Sequence, residues 1–276
     1  MSSIPSHILN RKGARRRSEV PEEVIALLNA GKIETINLVE WLVVDQRILL
    51  GHLLDEIDRK EWRAKLEQGI QSLKEPSHTR INAVVSKGLI ELLWDEPEQE
   101  KIFQYLAGHT SDSIREWAAG IIGHDTQLPL EEKMKAIRPF AADHHFGLRE
   151  VAWLAMRNDI IHYLEESIAL LTPWTADPDE NIRRFASEAT RPRGVWCPHI
   201  KALKKDPKPA LPLLEPLRAD PARYVQLSVG NWLNDASKDH PAWVSDLCDR
   251  WLEQSPLKET ETIVKRALRT IAKKKT

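Results

Sequence analysis

The stretch ENIRRFASEAT, residues 180–190, sets Ile182, Phe185, Ala186 and Ala189 at spacing i, i+3, i+4 and i+7. On a helix of 3.6 residues per turn these four side chains share one face, whereas a strand would split them between two. The stretch reads as an amphipathic helix with one buried stripe. Five further segments repeat its design, a basic or amide residue followed by small and apolar positions. They are HTRINAVVSKGL around Arg80, DSIREWAAGII around Arg115, FGLREVAWLAM around Arg149, RYVQLSVGNWL around Gln226 and ETIVKRALRTI around Lys265. With Arg183 included, successive anchor residues lie 35, 34, 34, 43 and 39 positions apart. Val225, Ser228, Val229 and Trp232 take the phases that Ile182, Phe185, Ala186 and Ala189 take one repeat earlier.

Between these segments lie further apolar stretches, among them SIALLTPW ending at Trp174 and ALPLLEPL ending at Leu217. Asp177-Pro178, Asp206-Pro207 and Asp220-Pro221 punctuate them, each pairing a capping or turn residue with one that favours a turn or a helix start. No segment sustains period-two alternation. The expected fold is all-α, an α-solenoid of HEAT-like helical repeats forming a curved superhelix, with the second helices lining one concave face. Residues 21–75, with the apolar LVEWLVVDQRILLGHLL, are expected to cap the stack. The expected organisation is a flexible basic tail at 1–20, one repeat domain at 21–272 and a basic tail at 273–276.

Composition narrows the function classes. The 276 residues include 40 basic and 41 acidic ones, with 42% hydrophobic and 29% charged overall. That excludes a disordered chain and a membrane bundle. No apolar run approaches the roughly 20 residues needed to span a bilayer, and the N-terminus carries no apolar stretch suited to a secretory signal. Cys197 and Cys248 are too few for a disulfide framework, which points to a reducing, intracellular setting. No glycine loop of a phosphate-cradling kind is present. Asp143-His144-His145 and Cys197-Pro198-His199 lack a second ligand pair, so no metal site is expected.

The near-neutral total hides a local bias. From Asn181 to Ala210, eight basic residues face only Glu188 and Asp206, an excess of six positive charges. Within it, Arg191 and Arg193 flank Pro192 in a turn that continues to Trp196. Arginines beside a loop tryptophan, followed by lysines, suit a nucleic-acid backbone. A solvated repeat face would carry the same residues, and Arg184 and Glu188, four apart, could simply pair. In the next repeat Asn231 and Asp235 share a helical face, with Trp232 beside them. A carboxylate next to an aromatic wall could stabilise a cationic sugar; equally, Asp235 could cap or pair with Lys238.

RRFASEATRPRGVWC, followed by SVGNWLNDASKDHP, resembles the signature region of the AlkC/AlkD DNA alkylation repair family, more closely its AlkC branch. The likeness is specific over about residues 140–245. It implies a HEAT-like superhelix and a DNA glycosylase that removes cationic methylated purines, such as 3-methyladenine or 7-methylguanine, from duplex DNA. It implies no metal or organic cofactor and no deep base-flipping pocket. A monomer in the bacterial cytosol or on the nucleoid is expected. Residue by residue, it implies Glu188 and Asp235 as the catalytic carboxylates and Trp196 and Trp232 as aromatic walls. Arg149, Arg183, Arg184, Arg191, Arg193, Asn231 and Lys238 then contact DNA. One departure stands out: where AlkC-like sequences read SEFAxRPF, this chain has HHFGLRE at 144–150, and His145 replaces the acid. The alternatives are a non-catalytic binder of branched or damaged DNA and a protein-interaction scaffold.

Overall fold

All three Asp-Pro dipeptides close turns by one device. Asp177, Asp206 and Asp220 each accept on Oδ1 the backbone N–H two residues on, from Asp179, Lys208 and Ala222, at 2.9, 3.1 and 2.8 Å. This side-chain mimic of a backbone turn stops one helix and aims the next. Helix starts are capped in the same economical way. Asp45 accepts from Arg47 and Ile48, Ser77 from Arg80 and Asp179 from Asn181, satisfying amides that have no intrahelical partner.

The computed structural model describes residues 4–194 and 197–273. Among them no strand occurs, and thirteen helices have eight residues or more. In chain order they are α1 (Glu22–Asn29), α2 (Gln46–Glu56), α3 (Arg63–Gln71), α4 (His78–Leu93), α5 (Gln99–Ala107), α6 (Asp112–His124) and α7 (Leu130–Ala141). There follow α8 (Phe146–Ala155), α9 (Leu164–Leu171), α10 (Glu180–Ala189), α11 (Arg223–Ala236), α12 (Pro241–Gln254) and α13 (Lys258–Ala267). The six repeated segments are α4, α6, α8, α10, α11 and α13, so the fold is the all-helical, HEAT-like repeat array that the spacing predicts. Among the described residues no helix is long and apolar enough to cross a membrane.

The residues group into two compact units. The first comprises Met1–Leu128 and His145–Ala152, the second Pro129–His144 and Trp153–Thr276, so the boundary falls inside α8. In the first unit α4 packs on α6, with α3 against α4 and α5 against α6. In the second, α10 packs on α11 and α11 on α13, with α7 beside α10 and α12 beside α13. These are the stacks of second helices that a helical repeat array builds from local contacts. Ile182, Phe185, Ala186 and Ala189 are all buried, as are Val225, Ser228, Val229 and Trp232. Each apolar stripe faces its neighbour in the stack, where burial of a large aliphatic or aromatic side chain contributes about 1.5–3 kcal/mol.

The N-terminal segment departs from the flexible tail expected for it. Ile8 and Val20 are buried. Arg11 binds both oxygens of Glu40, at 3.0 and 2.7 Å, and also donates to the carbonyls of Ile8 and Glu34. A basic residue meant for solvent instead neutralises a buried carboxylate and anchors the segment. At the other end Lys273 closes a short helix, Arg269–Lys273.

Candidate functional site

The second unit gathers most of the residues singled out above around one arginine. Arg191 follows the end of α10, and its guanidinium reaches two buried acids at once. Nη1 donates to Glu188 Oε1 at 2.7 Å, while Nε and Nη2 donate to Asp235 Oδ2 at 2.9 and 2.7 Å. Glu188 comes from α10 and Asp235 from α11, so the stacking of these helices creates the pair. Ser228 completes the shell of Glu188, donating to Oε2 at 2.7 Å, and Lys238 completes that of Asp235, donating to Oδ1 at 2.9 Å. Arg184 adds a longer contact to Glu188 Oε2 at 3.7 Å. Ser187 in turn donates to Ser228 at 2.8 Å, extending the chain of hydroxyls between the helices.

The electrostatics follow from burial and charge count. Glu188 is only 5% exposed. Burial pushes its carboxyl up, yet the Arg184 and Arg191 charges and the Ser228 and Arg191 hydrogen bonds outweigh it and hold the group below its ordinary value. The carboxylate is therefore ionised and fixed at neutral pH. Arg191 responds in kind: burial lowers its pKa, the two carboxylates raise it more, and the net shift is upward.

The turn that carries Arg191 is pinned from below. Arg157, almost fully buried, donates to the carbonyls of Ala189, Arg191 and Pro198 at 2.7, 2.8 and 3.0 Å. Those carbonyls are ones the helix end and its turn leave without a helical donor. The sequence signal for Arg157 was absent, because it lies outside the repeated segments and acts on backbone atoms.

Several expected roles look different in place. Trp232 has no exposure and donates Nε1–H to the Thr190 carbonyl at 3.0 Å, so it packs the core and forms no wall for a ligand. The Tyr224 ring lies 4.2 Å from the Arg184 guanidinium carbon, within cation–π range. Arg183 is committed to Asp220, through Nε at 2.6 Å and Nη2 at 3.0 Å, and Arg193 to both oxygens of Asp239 at 2.8 Å. Asn231 accepts from Arg266 Nε at 2.8 Å. Arg149 lies in the first unit, on α8. Trp196 lies outside the described residues. Among the described residues no group of three or more His, Cys, Asp or Glu side chains could hold a metal ion.

The first unit holds a buried acid, Glu116, that the sequence did not flag. Glu116 of α6 has no exposure. It accepts from Trp41 Nε1 at 2.6 Å and Asn82 Nδ2 at 3.2 Å, with His78 Nε2 at 3.8 Å. Burial, and then the neighbouring Asp112 charge, push its carboxyl up to about 8. Burial drives His78 down to about 4, and the Trp41 ring lies against it, tilted by 40° with centroids 3.7 Å apart. Gly147 packs close by: a Cβ at that position would come within 2.9 Å of Glu116 Oε1 and 3.2 Å of the His145 ring, so the carboxyl would have to shift. His145, the residue that replaces the acid of the AlkC-like pattern, accepts the Gly147 N–H on Nδ1 and lies 2.7 Å from the Thr35 carbonyl through Nε2.

A family model described as DNA alkylation repair enzyme matches residues 71–271. A protein of Bacillus subtilis (strain 168) named uncharacterized protein YhaZ is 41% identical over 144 residues, which cover 52% of this chain and 38% of that one. Among solved structures, Pseudomonas fluorescens alkylpurine DNA glycosylase AlkC, bound to DNA containing an abasic site analog, aligns with a TM-score of 0.68 and 27% identity. That alignment covers 82% of this chain and 62% of AlkC. AlkD2 from Streptococcus mutans aligns with a TM-score of 0.57 at 21% identity, over 76% of this chain and 97% of that one, a likeness of fold. The chain thus spans less than two thirds of YhaZ and of AlkC.

Proposed function

The chain belongs to the DNA alkylation repair enzyme family, and from that premise we propose that it is a DNA glycosylase excising cationic N-methylated purines, 3-methyladenine and 7-methylguanine, from duplex DNA. A methylated purine already carries positive charge and leaves without being protonated. What the protein must supply is a fixed anion beside the oxocarbenium-like sugar and a place for water. Such preorganised electrostatic stabilisation is worth about 2.7–4 kcal/mol for a single group.

The observation that carries this reading is the Glu188–Arg191–Asp235 constellation. Two carboxylates from successive repeats are oriented by one shared guanidinium, and Glu188 is kept ionised by its cationic neighbours. Holding the charge costs no reorganisation at the moment of bond cleavage. The AlkC structure bound to DNA containing an abasic site analog supports DNA as the partner. The protein acts as a monomer in the bacterial cytosol or nucleoid, without metal or organic cofactor.

The test is release of methylated bases from alkylated duplex DNA. Base release above a heat-inactivated control, lowered in Glu188→Gln and Asp235→Asn, supports the proposal. Absence of release from DNA that is demonstrably bound refutes it. That second outcome would favour a DNA-binding protein without catalysis. One observation speaks for that alternative: both oxygens of Glu188 and of Asp235 are already engaged by protein donors.

A further inference from the structure

Two sets of cations in the second unit differ in the chemistry of their partners. Arg183, Arg191, Arg193 and Lys238 all bind carboxylates, so each of these charges is offset by a protein partner. Arg266, Arg269 and Arg223 bind amides. Arg266 Nε donates to Asn231 Oδ1 at 2.8 Å, Arg269 Nε to Asn234 Oδ1 at 3.0 Å and Arg223 Nη1 to Gln226 Oε1 at 3.5 Å. An amide oxygen orients a guanidinium without cancelling its charge. Among the described residues none of the three has a carboxylate partner.

We propose that Arg223, Arg266 and Arg269 form a phosphodiester-binding stripe across α11, the C-terminal end of α13 and the short helix Arg269–Lys273, where the duplex backbone is gripped. The inference rests on the reading that duplex DNA is the partner, and it moves the main phosphate contact away from the Arg191-Pro192-Arg193 turn. Arg223 and Arg269 are exposed and Arg266 half-buried, so the stripe is open to a ligand on the outside and anchored within.

The stripe is also built rather than incidental. Gly230 of α11 lets the Arg266 stem lie against the helix, because a Cβ there would stand 2.8 Å from Arg266 Cβ and 3.1 Å from Cγ and Cδ. The stem lies against α11 and Nε is held by Asn231, and among the described residues neither Nη nitrogen has a hydrogen-bond partner. Guanidinium donors in a fixed fork match the geometry of phosphate oxygens. Burial, and then the charges of Arg269, Arg223 and Arg191, lower the Arg266 pKa, the direction expected of a cation with like charges nearby. An incoming polyanion relieves that repulsion.

The experiment measures binding of an unmodified 20-base-pair duplex, across salt, to the full chain and its variants. A parallel arm uses phosphatidylserine vesicles. One phosphate contact contributes a slope of about 0.9 in log K against log salt, or roughly eightfold in affinity at 0.1 M. Arg269→Gln, at an exposed site, is expected to weaken binding about eightfold. Arg266→Gln with Arg269→Gln should lose roughly sixtyfold and lower the slope by about 1.8. Asn231→Ala, which keeps the charge but frees the fork, should weaken binding less and leave the slope in place. Unchanged affinity and slope in Arg269→Gln and in the double variant, with the wild type binding well, overturn the stripe while leaving DNA as the partner. A wild type that binds no duplex at 50 mM salt overturns the stripe and the DNA reading together. Vesicle binding that is lost in the variants while duplex binding persists reassigns the stripe to a lipid surface and overturns the proposal.

Discussion

Glu116 and Glu188 are both fully committed to the interior, yet the two units neutralise them in opposite ways. Aligning Arg115 with Arg183 puts Glu116 in register with Arg184, and Glu188 in register with Gly120. In the first unit the acid meets an indole N–H, an amide and a second acid, Asp112, and its carboxyl rises to about 8. In the second unit the acid sits one turn later, between Arg184 and Arg191, and stays ionised. A buried carboxyl with no cation in contact keeps its proton; one clasped by guanidinium groups gives it up. The same repeat scaffold thus provides a neutral hydrogen-bonding acid in one place and a fixed anion in another.

Removing the clasp should have the largest effect. Arg191→Met leaves two buried carboxylates short of their shared partner, and urea unfolding should show a loss of about 3–5 kcal/mol. A loss below about 1 kcal/mol would mean that Arg184 and Lys238 suffice, and the contrast with Glu116 would weaken.

Next comes the charge of Glu188 itself. Glu188→Gln keeps the shape and removes the anion, so excision should fall about 10²–10³-fold, or roughly 2.7–4 kcal/mol, with duplex affinity unchanged. An equal loss of affinity would instead mark Glu188 as a structural partner of its arginines.

Glu116 predicts a pH dependence of its own. With a folded pKa of about 8 against an ordinary 4.5, the folded state holds a proton that the unfolded state releases, so stability falls as pH rises through that window. His78, lowered from 6.5 to about 4, acts in the other direction: its contribution falls as pH drops below 6.5. The two oppose each other between pH 4.5 and 6.5, which leaves pH 6.5–8 to Glu116. Across that span thermal or urea unfolding should show a decline on the order of 1.5 kcal/mol, absent in Glu116→Gln. A decline of the same size in the variant would assign it to another group.

The smallest effect belongs to Arg193. Its pair with Asp239 is partly exposed on both sides, so Arg193→Ala should change stability by less than about 1 kcal/mol. If unfolding shows a cost close to that of Arg191→Met, the division between clasped and solvated arginines fails.

The spacing of apolar residues made the repeated helices legible, because Ile182, Phe185, Ala186 and Ala189 can share a face only in a helix. The Asp-Pro turns were equally readable, since their hydrogen bonds span two residues. The partners of the charged groups were not. Arg183 finds Asp220 37 positions on, Arg191 finds Asp235 44 on and Arg11 finds Glu40 29 on. Residues that distant meet only through packing, so a local charge excess in the sequence overstated how much positive charge remains available. Trp232 misled for a related reason: its phase on α11 points to the core, in the register of Ala189.

Sequence alone determined the helical repeat, its period and the presence of two acids within the signature, since these depend on order along the chain and on helix geometry. Tertiary structure decided which acid is ionised, which arginines are paired with acids and that Trp232 is core. Those properties depend on desolvation and on charges a few ångströms away, and neighbours at that distance are chosen by the stacking of one repeat on the next.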